Sequence, residues 1–327
     1  MNRNEYRNAK LNGARAAAEV HHKLGTNGKI RNGDNQVDVF ESINELEIPV
    51  LCRPLTGLLG AYVTKPHRGI LITTNRRLPI QRYTAAHELG HYWLKHEESF
   101  DTEDSVSLAR GGINNIAAQE VEAEAFAAEF LLPKFLLVKV SQRLGWSKLD
   151  LKHPDNIYQL SLRVGVSYEA TWRALLDNNL INNATAEVIE ANPPKSSKLK
   201  LIEPYELFDP WSDVISLGIE ESGSVVHASP EDTVIIELPE HSSSGYIWSD
   251  VSELEGIHAI ASESGNANAD VFGGVNLRKQ LFKGAGRVLI ELAEQRPWEK
   301  AQNPQATFEI DIDFLGKEEG LPRVYRK

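Results

Sequence analysis

Two histidines four residues apart, with a glutamate beside the first, are the residues of this chain best spaced for chemistry. They stand in His87-Glu88-Leu89-Gly90-His91. On an α-helix such a pair lies on one face, so both imidazoles can reach one Zn²⁺ at about 2.0–2.1 Å. Glu88 is then placed to act as general base on a water whose pKa the ion lowers to roughly 7. A catalytic zinc needs a third protein ligand, often a carboxylate from another helix. Residues 117–133 supply candidates in Glu120, Glu122, Glu124 and Glu129. Tyr83, Tyr92 and His96 are candidate donors to an oxyanion, although packing would explain each equally well.

The elements that must hold these groups can be read on either side. Pro79 and Thr84 suit a helix start. Ala85, Ala86, Leu89, Tyr92, Trp93 and Leu94 then make the segment from Pro79 to Lys95 too apolar for a solvated face. Upstream, Asn4 to Leu24 reads as a helix stopped by Gly25, and Val37 to Leu46 as a second helix. Three short extended segments follow, near Ile48–Cys52, Leu59–Thr64 and Gly69–Thr74. Residues 97–115 read as a loop bordering the site. The Ala- and Glu-rich run 117–133 is a strong helix former ended by Pro133.

Further helices are expected from Lys134 to Leu144 and from Asp155 to Leu180. Within the latter, Tyr158 to Leu175 resembles a helix-turn-helix, with Gly165 at the turn and Ser167 capping the second helix. Its reading half, Tyr168-Glu-Ala-Thr-Trp, carries a carboxylate and no basic residue. A structural role is therefore expected there, and no nucleic-acid partner.

The chain has 327 residues and a net charge of −11. The first 199 residues are nearly neutral, whereas residues 200–327 carry 11 basic and 23 acidic side chains. That asymmetry argues for two units, and against phosphate binding by the second. No apolar run approaches a membrane span, the N-terminus lacks a signal-peptide core, and Cys52 is the sole cysteine. A cytoplasmic protein is expected, with no membrane partner and with Cys52 as a core filler.

The pair His-Glu-Leu-Gly-His and the run Glu122-Ala-Glu-Ala-Phe-Ala-Ala-Glu-Phe-Leu-Leu-Pro133 resemble the ImmA/IrrE family of zinc endopeptidases. The resemblance covers about residues 5–185. It implies an α+β zincin-like metallopeptidase domain with a helical C-terminal segment. It also implies Zn²⁺ as cofactor, His87, His91 and Glu122 as ligands, and Glu88 as general base. Glu124 departs from the family's usual Asn or Asp. The implied substrate is a regulatory protein, such as a helix-turn-helix transcriptional repressor.

After a linker the period changes. Segments such as Thr233-Val-Ile-Ile-Glu-Leu and Ala306-Thr-Phe-Glu-Ile-Asp-Ile-Asp-Phe alternate as strands do, which indicates an all-β sandwich. Three loops, His241-Ser-Ser-Ser-Gly245-Tyr246-Ile-Trp248, Phe272-Gly273-Gly274 and Arg296-Pro297-Trp298, resemble those of chagasin-family inhibitors of papain-type cysteine peptidases. The resemblance implies an immunoglobulin-like fold over about residues 210–316. It also implies a partner-binding wedge made of Gly245, Tyr246, Gly273, Gly274, Arg296, Pro297 and Trp298. Here His241-Ser-Ser-Ser replaces the family's Asn-Pro-Thr-Thr, and Val271 stands where it has a first glycine.

The expected organisation is a metallopeptidase domain over residues 1–185, with the helix-turn-helix-like segment at 150–185. A linker over 186–205 and a sandwich over 206–327 follow. The leading reading is a zinc endopeptidase whose sandwich recruits substrate or binds a cysteine peptidase. The alternative is an inhibitor in which the peptidase domain is secondary or regulatory.

Overall fold

Asn2 starts the first helix by accepting from the Asn4 and Glu5 backbone N–H groups, while Glu5 accepts from Asn2 N in return. The computed structural model describes residues 1–97, 99–102, 118–206, 209–250, 257–266, 276–298 and 304–326. Helix α1 (Arg3–Leu24) ends at Gly25 in the left-handed conformation, as the sequence indicates. Helices α2 (Thr26–Arg31) and α3 (Val39–Glu45) precede strands β1 (Val50–Arg53), β2 (Leu58–Val63) and β3 (Gly69–Thr73). Helix α4 (Leu78–Leu94), strand β4 (Ser99–Thr102) and helices α5 (Ala118–Leu131) and α6 (Lys134–Arg143) complete this stretch.

The strands form one sheet in the order β1-β3-β2-β4, with β1 and β3 parallel and the other pairs antiparallel. Part of the expected 97–115 loop is therefore strand, because residues 99–102 pair with β2; residues 98 and 103–115 lie outside the described residues. Helix α4 packs on β2 and β3, and α5 packs against both α1 and α4. Small residues set that spacing. A Cβ on Gly13 of α1 would lie 2.1 Å from the Glu122 carbonyl oxygen and 2.9 Å from Phe126 N. One on Gly90 of α4 would come within 3.1 Å of the Phe126 side chain. Phe126 and Phe130 are fully buried, each contributing about 1.5–3 kcal/mol of burial energy.

Residues beyond the sandwich finish this unit. Cys52 N donates to Gly320 O (2.7 Å) and Gly320 N to Cys52 O (2.9 Å), closing the free edge of β1. Buried Gln81 of α4 donates from Nε2 to Thr73 O and Glu318 O, and accepts from Glu318 N at 2.7 Å. Burial pushes the Cys52 thiol up to about 12, with Glu318 adding to the effect. Cys52 is thus a buried core residue.

Four α-helices and eight strands follow among the described residues. They are α7 (Pro154–Val164), α8 (Tyr168–Asp177), α9 (Asn183–Glu190), α10 (Pro194–Ile202), β5 (Val214–Leu217), β6 (Ser224–Ala228) and β7 (Thr233–Glu240). The rest are β8 (Ile247–Asp250), β9 (Ile257–Asn266), β10 (Asn276–Gly284), β11 (Gly286–Gln295) and β12 (Ala306–Phe314). The strands make two four-stranded sheets, β5-β7-β10-β9 and β6-β12-β11-β8. Between them lies a core that includes Val234, Ile236, Leu238, Trp248, Phe282, Ile290, Phe308 and Ile310. This is the all-β sandwich expected.

Strand β7 is apolar on both faces because its outer face is also covered. Ile235 clusters with Val214, Leu281 and Ile202 of α10. The segment read as a linker is thus largely helical: Pro194 opens α10, the position where its missing N–H costs nothing.

Two compact units result, Met1–Val140 with Val164–Ala186 and Gly316–Lys327, and Ser141–Arg163 with Glu187–Leu315. The boundaries drawn from sequence put 316–327 with the sandwich and 141–163 with the first domain, and the packing assigns both the other way. In the helix-turn-helix-like segment Gly165 makes the turn at φ +69° and Ser167 caps α8 by accepting from Ala170 N. Helix α7 serves the sandwich. Gln159 satisfies the open edge of β5 by donating to Val214 O and accepting from Ser216 N. Arg163 makes a buried two-pronged pair with Glu221 at 3.0 and 2.9 Å. Among the described residues no helix is long and apolar enough to cross a membrane.

Candidate metal centre and loop cluster

Helix α4 carries the His-Glu-Leu-Gly-His pentad in its last turns, with His87 4% exposed and Glu88 and His91 fully buried. The Nε2 atoms of His87 and His91 stand 3.1 Å apart. A carboxylate oxygen of Glu120, from α5, lies 3.4 Å from the first and 3.6 Å from the second. Among the described residues this is the one group of three suited to a metal ion. Burial disfavours charge on Glu120, but hydrogen bonds to His87 and His91 outweigh it and draw the carboxyl well below its ordinary range.

The donor set fits a tetrahedral Zn²⁺, whose ligand atoms stand about 3.3–3.4 Å apart at bonds near 2.0–2.1 Å. Two imidazole nitrogens facing each other beside a carboxylate need a shared proton or cation, because their lone pairs otherwise repel.

Glu122, the ligand implied by family resemblance, is not part of this group. Its Oε2 lies 2.8 Å from His96 Nε2, and its Oε1 accepts from Asn12 Nδ2 at 3.0 Å. Residues two apart on a helix are turned about 200° from each other, so Glu120 and Glu122 cannot share a target. The packing of α1 and α4 on α5 decides which one faces the histidines.

His96 is likewise engaged. Helix α4 ends at Lys95 in the left-handed conformation (φ 59°), which turns the chain so that His96 N donates to His91 O. The two Nδ1 atoms then lie 3.0 Å apart. Burial lowers the His96 pKa, against the raising effect of Glu122. Tyr92 makes an edge contact with Tyr62 at 5.9 Å. Of the three oxyanion candidates, Tyr83 lies beside His87, 6.4 Å from the centroid of its ring and inclined 28° to it.

Glu88 packs towards β2, where a Cβ on Gly60 would lie 2.9 Å from Glu88 Oε1 and 2.4 Å from Thr84 Cγ2. Gly60 therefore makes room for the proposed base. Sequence reasoning missed Gly60 and also Arg82, which is buried and donates to Gln36 and to Val37 O (2.8 Å). Arg82 was legible only as a charge inside an apolar helix. No local pattern pointed to Gly60.

In the sandwich, β8 and β11 are antiparallel neighbours with Ile247 opposite Gln295. The loops before β8 and after β11 are therefore adjacent. The Arg296 guanidinium sits 4.5 Å over the Tyr246 ring, and its Nε donates to Ser244 O. Gly245 has φ +84°, and a Cβ there would lie 2.5 Å from the Trp298 ring. Trp298 is 68% exposed, whereas Trp248 is a core residue whose Nε1 donates to Pro239 O. Buried Glu294 fixes the loop by accepting from His241 N at 2.6 Å. Gly245, Tyr246, Arg296, Pro297 and Trp298 thus lie on two touching loops, while Gly273 and Gly274 lie outside the described residues.

Comparison with known families matches each half separately. Residues 44–176 match the model of a peptidase family described as the IrrE N-terminal-like domain. Residues 227–312 match the chagasin family of peptidase inhibitors. No curated protein matches the chain. Among solved structures, the cysteine protease inhibitor EhICP2 from Entamoeba histolytica is 22% identical over 33% of this chain and 100% of its own, with a TM-score of 0.30. Amebosin is 21% identical over 31% of this chain and 96% of its own, with a TM-score of 0.27. The chain therefore couples a region matching a peptidase family to one matching an inhibitor family.

Proposed function

We propose that the chain is a zinc-dependent endopeptidase acting on a regulatory protein, and that its sandwich binds a partner protein. The convergence of His87, His91 and Glu120 beside buried Glu88 carries the first part. His87, His91 and Glu120 would hold the ion. When bound, Zn²⁺ supplies Lewis acidity towards water and towards the peptide carbonyl. Glu88 takes the proton from the attacking water and delivers it to the departing amine. Burial of the helix that carries these groups keeps their geometry fixed. A regulatory protein, such as a helix-turn-helix repressor, is the substrate that the family resemblance of the two sequence motifs implies.

The purified chain should contain one Zn²⁺ and cleave members of a quenched-fluorescence peptide library. Chelation by 1,10-phenanthroline should abolish cleavage and added Zn²⁺ restore it. Full activity in metal-free protein would overturn the reading.

The exposed Trp298, seated on Gly245 beside the Arg296–Tyr246 pair, favours a second reading for the sandwich: a surface for a papain-type cysteine peptidase. Small residues let backbone approach a cleft closely, and Trp, Tyr and Arg dominate binding energy at interfaces. The full chain titrated into papain should inhibit it, and Trp298→Ala should weaken inhibition about 30-fold, as loss of a hot-spot residue does. Absence of inhibition at large excess would rule out the inhibitor role and leave recruitment of substrate.

A further inference from the structure

Glu122, displaced from the metal group, has a second task in the geometry. A continuous line of hydrogen bonds runs from it to a proposed ligand: Asn12 to Glu122 Oε1, Glu122 Oε2 to His96 Nε2, and His96 Nδ1 to His91 Nδ1. An ionised carboxylate only accepts. His96 must therefore carry its proton on Nε2 and present a lone pair at Nδ1. The 3.0 Å contact with His91 Nδ1 then requires the proton of that contact to belong to His91. With its proton on Nδ1, His91 faces His87 and Glu120 with a bare Nε2, the form that ligates a metal. For a neutral His96 beside an ionised Glu122, no other placement of protons satisfies every link.

We propose that Glu122 and His96 are positioning residues that fix the ligating tautomer and ring orientation of His91. The inference rests on the metal-binding reading above. It assigns a role to the Glu122–His96 pair behind the site, and it extends the usual single partner of a metal-bound histidine to a two-step relay. Asn12, on α1, ties the far end of the relay to the helix whose packing sets α5.

The test is metal affinity, measured on the full-length protein by competition of Zn²⁺ with a chromophoric chelator and by the visible spectrum of the Co²⁺ form. Wild type should bind one ion tightly; if it binds none, the metal reading fails and the relay is moot with it. Given tight binding by wild type, Glu122→Gln should weaken it about 10- to 100-fold, as loss of a supporting residue does. It should also shift the Co²⁺ bands, because an amide can present either a donor or an acceptor to His96. The metal-free melting temperature should stay within error of wild type, and only the rise on adding Zn²⁺ should shrink.

His96→Phe keeps a ring but breaks the line, and should weaken binding by a similar factor. The double variant should be no weaker than the weaker single variant, because both changes cut one chain. Unchanged affinity in Glu122→Gln would overturn the relay. So would additive losses in the double variant. Loss of binding in Glu122→Gln as deep as in Glu120→Gln would make Glu122 a ligand and overturn it as well.

Discussion

Glu88→Gln should leave the chain folded and able to hold Zn²⁺, yet slow peptide cleavage by about 10³-fold, within the range that a general base supplies. The substitution keeps the shape that fits against Gly60, where Glu88 Oε1 would be 2.9 Å from an added Cβ. A neutral amide is also easier to bury than a carboxylate, so the metal-free fold should not suffer. What disappears is a group that can accept a proton from water. The measurement is kcat and KM on the peptide that wild type cuts best, with metal content determined on the same samples. A fall in kcat at constant KM and full zinc content identifies a group needed in the transition state. Cleavage by the variant at the wild-type rate would remove Glu88 from the mechanism.

Glu120→Gln should be the most damaging single change to metal binding on helix α5. It keeps the side chain's volume but replaces a charged oxygen, 3.4 and 3.6 Å from the two imidazole nitrogens, with a weaker neutral donor. Affinity for Zn²⁺ should fall by more than the roughly 10–100-fold typical of a supporting residue, and activity should fall in step. Competition with a chelator gives the first quantity, and a zinc titration of the cleavage rate gives the second. Wild-type affinity in Glu120→Gln would return the third ligand to another glutamate and contradict the arrangement of α4 and α5.

The contrast between Glu120 and Glu122 shows what the sequence could and could not reveal. The spacing of His87 and His91 states its own geometry, because four residues make one helical turn. The Ala- and Glu-rich run likewise announces a helix. Nothing within that run says which side meets α4; that depends on Gly13 of α1 touching the backbone at Glu122. The sandwich shows the same division. Strand β7 was plain from its apolar run, but β10 was missed because Arg278 and Lys279 interrupt its alternation. Arg278 is committed to buried Glu240, and Lys279 to the carbonyls of Leu201 and Glu203. Helix α10 hid behind Pro-Pro-Lys-Ser-Ser, a composition that suits a linker as well as a helix start. The clasp between Gln81 and Glu318 joins residues 237 positions apart, and no local pattern encodes it.

That clasp has a consequence in time. Ribosomes add about 5–20 residues per second, so Gln81 waits on the order of ten to fifty seconds for Glu318 to be made. Throughout that interval the sandwich is being translated, and the edge of β1 at Cys52 lacks the bridge that Gly320 will provide. An uncovered edge is a template for other chains, which makes the nascent protein most prone to mispairing while its second half is still being synthesised. The helix bearing His87 and His91 is therefore finished last, by residues whose codons lie beyond those of the whole sandwich.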